Sequence, residues 1–429
     1  MRNDEEGWLT AKEVQRLVRA GEVAAQDMVD DQLRRIRRYD GRVHAYCHVD
    51  DRASVGQGPL AGITIAVKDT EPVIGMPWTA GSPKFRNRVA EQDSLQVRTA
   101  RERGAAILGK VNTPELAAAV GTTNPLFPAT ENPWRPGLSP GGSSGGSGAA
   151  VAAGLCSMAF GSDMGGSIRV PAASCGVLGL RPSPMRVPTE QPDPIRLSVH
   201  GPLARSALDL RIAFEFLIGE IAPEPQDRPL SIIAIDETSM SVGPAAKAAV
   251  DRAAAALEAA GHHVVRGRGW TPEVVARAYK TVRPVTLGAY PGEPSEYGPD
   301  VAPLIEEGRR ISGTDFVAAL ESGINGAGFV HDRLHGHDLM LTPTLPSPPR
   351  PIDQVPAFLG DDWTEYTQFV LPVSFAGLPA ISVPAGLDDG LPVGVQLVAA
   401  YRREWLLLDV AAQLEVAQGF GFQRPPGYD

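Results

Sequence analysis

The sequence predicts an α/β fold, a large mixed and mostly parallel β-sheet covered by helices on both faces. Three observations carry that expectation. Short apolar runs alternate with helical patterns along the whole chain, as in a sheet layered with helices. Residues 229–267, "LSIIAID" through an alanine-rich run to "HHVVRG", read as strand, long helix and strand, a βαβ unit. No fixed-period repeat or clean linker divides the 429 residues, so one large domain over 1–429 is expected.

Each element follows from local pattern. Residues 9–38 give two helices within an N-terminal helical segment (1–60): "TAKEVQRLVRAG" opens on the cap residue Thr10 and closes on Gly21, and the second runs to about Arg38. "ITIAVKD" is a short apolar strand bounded by Gly62 and Pro72. "DSLQVRTARERGAAILGKVNTPEL" reads as helix, the strand "AILGKV", then a helix starting after Thr113 with Pro114 at its first position. Residues 149–180 give a small-residue helix, a strand near "SMAFGSD" and another helix after Ser167. Residues 270–338 are irregular and helical; "DLMLTPT", "PAISVPAG" and "VGVQLVA" are late strands, and "EWLLLDVAAQLEVA" is a closing helix.

Bulk composition bounds the function. With 43% hydrophobic residues the chain is globular, although Gly (46) and Pro (39) are abundant. Fifty acidic against forty basic side chains, a net charge of −10, argue against nucleic acid or an anionic membrane as partner. The one dense basic cluster, Arg34, Arg35, Arg37 and Arg38, falls on an amphipathic helix and reads as a solvated face. Cys47, Cys156 and Cys175 are odd in number and at no metal spacing, which suits a reducing compartment. The opening "MRNDEEGW" has no apolar leader core and no stretch is long enough to span a bilayer, so a cytoplasmic location is expected.

The glycine-rich stretch "LSPGGSSGGSGAAVAAGLCSMAFGSDMGGSIRVP" (138–171) carries the chemistry. It is no flexible linker, because it runs straight into a helix, a strand and a second glycine turn. It is no phosphate loop either, since no Lys follows the glycines and no GxGxxG register fits. Gly142–Gly146 does match GxSxG, with Ser144 as the elbow serine and several histidines downstream, but turn residues ("NPWRPGLSPGG") stand where the preceding strand should be. The second turn is more informative. After a strand ending at about Asp163, Gly165 and Gly166 let a substrate carbonyl approach the backbone, and the N–H groups of Met164, Gly165, Gly166 and Ser167 converge near a helix start, as an oxyanion hole requires. Ser167 stands where a nucleophile would. No histidine is near in sequence, but Lys68 ends an apolar strand, where desolvation would make it a neutral base; a lysine snorkelling to solvent is the plain alternative.

Taken together, "GITIAVKD", "NPWRPGLSPGGSSGGSGAAVAAG", "GSDMGGSIRVPAASCGVLGLRPS", "GPLARSALDLRIAFEFL", "LMLTPTLP" and "GLPAISVPAGLDDGLPVGVQLVA" resemble the amidase signature family over nearly the whole chain. The resemblance implies a Ser–cis-Ser–Lys triad: Ser167 as acyl-forming nucleophile, Ser143 as bridging serine after a cis bond from Gly142, and Lys68 as base. It further implies that Ser144 orients Lys68 or Ser143, that Asp163 and Arg169 brace the turn, and that no metal or organic cofactor is needed. A small-molecule amide is the implied partner, and the family's habit points to a homodimer. Two departures bear on substrate. Met185 stands where family members often have glycine, and residues 215–338 form a shortened segment on the substrate side, implying a trimmed lid.

The function implied is hydrolysis of a carboxamide to acid and ammonia or amine. The alternatives are the glutaminase-type component of a tRNA-dependent amidotransferase, a tailoring amidase, esterase or acyltransferase acting on a larger natural product, and a scaffold without activity. Trp134, Trp270, Phe127, Tyr290, Trp363 and Phe369 are candidates for the pocket wall, against ordinary core packing. His331, His335 and His337 read as polar residues before a buried strand rather than as metal ligands.

Overall fold

The computed structural model describes residues 6–190, 192–225, 228–358 and 360–428. Residues 1–5, the start of the segment in which no leader is expected, lie outside them. Among the described residues eleven strands form one sheet: β1 (Tyr46–Val49), β2 (Thr64–Lys68), β3 (Ala106–Val111), β4 (Met158–Asp163), β5 (Leu178–Arg181), β6 (Val199–Ala204), β7 (Ser231–Ala234), β8 (His263–Arg266), β9 (Leu339–Pro343), β10 (Ala380–Asp388) and β11 (Leu391–Ala399). Their order is β1-β3-β2-β4-β6-β5-β10-β11-β9-β7-β8.

The sheet is mixed and wrapped by helices, as expected, but it is not mostly parallel. Pairs are parallel on the two flanks, β3-β2-β4 and β9-β7-β8. They are antiparallel from β4 through β6, β5, β10 and β11 to β9, and again between β1 and β3. For one of these pairs the reason is local. β10 and β11 are joined by Asp389-Gly390 alone, both at positive φ (47° and 71°), and a two-residue turn of that kind can only make a hairpin. The βαβ unit is present: β7 and β8 pair in parallel across the helix Pro244–Ala259.

Side-chain alternation explains the layering. In β2 and β4, Ile65, Val67, Met158 and Phe160 enter one apolar layer, while Ala66 and Ala159 face the other. The small face lets the helix Gly145–Ala152, built of Gly, Ser, Ala and Val, lie close against the sheet. Gly146 marks the closest approach, because a Cβ there would come within 2.4 Å of the Asn112 backbone nitrogen.

The N-terminal helices are Ala11–Arg19, opened by a Thr10–Glu13 capping box, and Ala25–Val43. Within the second, Arg35 departs from the solvated-face expectation. It is buried, donates to the carbonyls of Gly154 and Tyr428 and stacks on Trp8, whereas the exposed Arg34 and Arg37 pair with the buried Asp31 and the exposed Asp51. The helix expected after Thr113 is a three-residue 3₁₀ turn, Glu115–Ala117. Leu116 and Ala117 take left-handed conformations (φ 50° and 55°) that stop it. Met185, in the glycine-replaced position, is also left-handed (φ 65°) and exposed, the conformation for which glycine would be the easy residue. Among the described residues no helix is long and apolar enough to cross a membrane.

Candidate active site

Three loops meet at the exit of β2 and β4. Lys68 is the last residue of β2 and has no exposed surface. Its Nζ lies 2.7 Å from Ser143 Oγ and 3.1 Å from Ser162 Oγ. Ser143 sits just ahead of the helix Gly145–Ala152, and the Gly142–Ser143 peptide is cis. Ser167 lies in the turn between β4 and the helix Arg169–Cys175, and its carbonyl accepts the N–H of Ser144 at 3.1 Å, which ties the two glycine loops together.

Burial lowers the Lys68 pKa to about 7; Glu71 and Asp163 oppose the shift and the Arg283 charge adds to it. An ammonium in such a place gives up its proton near neutrality. An amine of that kind, held against a serine hydroxyl, is placed to take the hydroxyl proton.

The turn after β4 is held by a buried ionic cluster. The Asp163 carboxylate accepts Arg169 Nε and Nη2 (both 2.9 Å), Arg181 Nη1 (3.1 Å) and the backbone N–H of Gly166 (2.8 Å) and Ile168 (3.2 Å). Arg169 goes on to Gln396 Oε1 (2.7 Å), Ser374 Oγ (2.8 Å) and the Val370 carbonyl (2.9 Å). Although burial works the other way, the two guanidinium groups hold the Asp163 carboxyl far below the usual carboxylate range. Gly166 has φ 114°, and a Cβ on it would fall 2.5 Å from Val370 Cγ2, so the turn is closed to other residues. Its N–H, expected to face a substrate oxygen, is instead drawn to the Asp163 anion. The N–H groups of Met164, Gly165 and Ser167 have no acceptor among the described residues.

A cavity of about 260 Å³ opens over these groups. Ser143, Ser162, Met164 and Ser167 line it on the side of the two glycine loops, and Leu116 and Ala117 join Tyr279, Arg283, Thr286 and Tyr290 in another wall, where Arg283 donates to the Leu116 carbonyl. It meets a larger outer cavity of about 660 Å³ at Thr70, Glu71 and His200. At that junction His200 Nδ1 lies 3.2 Å from Glu71 Oε1. Burial depresses the His200 pKa, but the Glu71 charge and hydrogen bond outweigh it and the net shift is upward.

A family model described as "Amidase" matches residues 44–291 and 318–408. The chain belongs to the amidase family. Over 97% of its length it is 32% identical to a 6-aminohexanoate-cyclic-dimer hydrolase of Pseudomonas sp. (strain NK87), of which it covers 96%. Over 95% it is 32% identical to a glutamyl-tRNA(Gln) amidotransferase component from Synechococcus sp. (strain CC9311), of which it covers 97%. Among solved structures, a 6-aminohexanoate cyclic dimer hydrolase complexed with substrate superposes with a TM-score of 0.88 at 28% identity, covering 99% of this chain and 100% of the other. The protein is an amide-hydrolysing enzyme of the amidase signature type.

Within this amidase, the residues singled out from sequence gather in one place: Ser143 and Ser167 line one cavity, the buried Lys68 is bonded to Ser143, and Gly142, Ser144, Asp163 and Arg169 are buried beside them. Ser144 does not reach Lys68. Its hydroxyl donates to the Ser162 carbonyl and accepts the Ser162 N–H (both 3.3 Å), so it positions the serine that touches Lys68. Of the six candidate aromatics only Tyr290 lines the cavity. Trp134, Trp270, Trp363 and Phe369 are core residues, Trp363 stacking on Tyr279 from behind at 5.3 Å.

Sequence reasoning missed Ser162, Arg181, the Glu71–His200 pair and Arg283. Ser162 and Arg181 each carried a signal, a polar residue ending an otherwise apolar strand. Arg283 carried none, because it belongs to a helix far along the chain. The histidines at 331 and 337 bond the Ala376 carbonyl (3.0 Å) and Ser231 Oγ (2.8 Å). Among the described residues no group of three or more His, Cys, Asp or Glu is placed to hold a metal ion.

Proposed function

We propose that this amidase cleaves a small carboxamide through a Ser167 acyl-enzyme, with Ser143 relaying protons and Lys68 as the base. The observation that carries the reading is the fully buried Lys68 amine, with a pKa near 7, 2.7 Å from Ser143 Oγ. Neutral Lys68 takes the Ser143 proton as Ser143 takes that of Ser167, and Ser167 Oγ attacks the amide carbon. The oxyanion is met by the N–H groups of Met164, Gly165 and Ser167, since that of Gly166 is committed to Asp163. Ser143 returns a proton to the leaving nitrogen as the C–N bond breaks, and Lys68 restores the Ser143 proton. Water then attacks the ester by the same relay in reverse, releasing the acid. The reading requires no metal or organic cofactor.

An amide panel scored by ammonia or amine release together with product mass tests it. Wild type is expected to turn over at least one member, and Ser167→Ala to lose that activity by three orders of magnitude or more. A fluorophosphonate is expected to add its mass at Ser167. Labelling at Ser144, or equal slow hydrolysis by wild type and Ser167→Ala, would sink the mechanism. A second reading, a glutaminase component working with partner proteins, is favoured by the similarity to the glutamyl-tRNA(Gln) amidotransferase. A requirement for tRNA and ATP, with a co-purifying partner, is the outcome that would establish it.

A further inference from the structure

Another wall of the catalytic cavity comes from one face of the helix Glu273–Gly288 and the residues after it. Tyr279, Arg283, Thr286 and Tyr290 are spaced four, three and four apart, so they line up along one side, and all four border the cavity. Tyr279 reaches the turn itself, because a Cβ on Gly165 would stand 3.5 Å from the Tyr279 hydroxyl. One turn further along stands Arg283, a buried residue with 8% of its surface exposed.

That cation has no carboxylate within ion-pair distance among the described residues. Two of its N–H groups are used, Nη1 to Thr286 Oγ1 at 3.1 Å and Nη2 to the Leu116 carbonyl at 2.6 Å. The other donors of the fork have no protein acceptor among the described residues. The two acidic residues that share the cavity are engaged elsewhere. Glu71 pairs with His200, and Asp193 accepts the backbone N–H groups of Ile195, Leu197 and Ser198. The other buried arginines of the site region, Arg169 and Arg181, both sit on Asp163. A permanently charged group taken out of water is costly unless an anion meets it. Here the space that could hold one is the substrate cavity.

We infer that Arg283 is a substrate-anchoring residue and that the amide cleaved here carries a carboxylate on its acyl part, received in the Arg283 fork. This rests on the amide-hydrolysis reading for the reacting end of the substrate and adds the chemistry of its far end. The cavity, about 260 Å³, suits a short chain, and the monoamides of four- to six-carbon dicarboxylic acids are the class that fits. Arg rather than Lys suits the role because its planar fork meets both carboxylate oxygens.

Calorimetry on the Ser167→Ala variant, which cannot turn the ligand over, separates the anchor from the chemistry. Glutaramate is compared with pentanamide, its counterpart with a methyl in place of the carboxylate; succinamate and adipamate bracket the length. At least one of the three anionic amides is expected to bind ten-fold or more tighter than pentanamide. Adding Arg283→Met should bring that ratio to about one, and Arg283→Lys should leave only part of it. Circular dichroism melting verifies that each variant folds. Should Arg283→Met fail that check, a loss of at least five-fold of the ratio in Arg283→Lys is required instead. Anionic amides binding no better than pentanamide, binding of neither, or a preference that survives loss of the Arg283 fork would overturn the inference. Ammonia release by wild type is scored separately: its absence with every amide would remove the hydrolysis reading while calorimetry still decides the anchor.

Discussion

A lysine with no exposed surface, set between two serine hydroxyls, pays for its burial with its proton, and the pH dependence of the reaction should follow. In the proposed mechanism Lys68 serves as base only when neutral, and burial brings its pKa to about 7. In the measured pH profile, kcat/KM for an amide is therefore expected to rise about ten-fold per unit below pH 7 and to level off above it. Substitution sharpens the point. Lys68→Arg keeps a cation at the site that does not deprotonate, so it should be as inactive as Lys68→Ala, with both down by about 10²–10⁴-fold or more. A Lys68→Arg enzyme retaining a tenth of wild-type activity would mean that the positive charge, rather than the free amine, is what the site uses.

At the scale of elements, the geometry of the turn after β4 depends on charges rather than on apolar packing. Asp163 at the end of β4, Arg169 opening the next helix and Arg181 closing β5 are all fully buried and mutually bonded, so the strand exit, the helix start and a neighbouring strand are fixed to one another. Removing Asp163, the one anion of the cluster, leaves two buried guanidinium groups uncompensated. Asp163→Asn is expected to lower the unfolding free energy by about 3–5 kcal/mol in denaturant titration, since it also weakens the acceptor that holds the Gly166 and Ile168 N–H groups. A loss below about 1 kcal/mol would show that the cluster is not what holds the turn. The same elements show how far sequence patterns reach. The apolar strands β2, β3, β4, β7, β9, β10 and β11 were legible because each is a short β-rich run between turn residues. β6 was not. It holds Gly201 and Pro202 in the middle of the sheet, paired with Gly161 and Phe160, where both residues read as turn formers. β5 is four residues enclosed by Gly176 and Pro182, and β1 is four half-buried residues at an edge. The gathering of Lys68, Ser143 and Ser167 was legible through motif resemblance, and the placing of Ser167 after a glycine turn and of Lys68 at a strand end also through local pattern. The cavity wall was not, because nothing near residue 167 announces that a helix 110 residues later supplies it.

For the whole molecule, the site's chemistry and the chain's stability draw on the same buried amine, and their pH dependences can be told apart by sign. The Lys68 pKa falls from 10.5 to about 7 on folding. Below pH 7 the amine is charged in both states, and the folded state bears the full cost of burying that charge. Between about 7 and 10.5 the unfolded chain binds more protons than the folded one, so the unfolding free energy rises with pH across that window. At roughly 1.4 kcal/mol per unit, the full shift amounts to about 5 kcal/mol, of which about 4 kcal/mol falls between pH 6 and pH 10.5. The other strongly shifted carboxyls act in different windows. Asp40 and Asp209, raised by burial to about 6, lose stability as pH climbs from about 4 to 6. Asp163, depressed by its arginines, contributes stability that disappears only in strong acid. The His200 pKa is shifted upward by Glu71, so the clean measurement is a difference against Lys68→Met, in which groups common to both proteins largely cancel. Wild type is expected to gain about 4 kcal/mol on Lys68→Met between pH 6 and pH 10.5 in denaturant titrations at fixed ionic strength. A difference that stays flat across that range would mean Lys68 keeps its proton in the folded enzyme, and the neutral-base mechanism would fall with it.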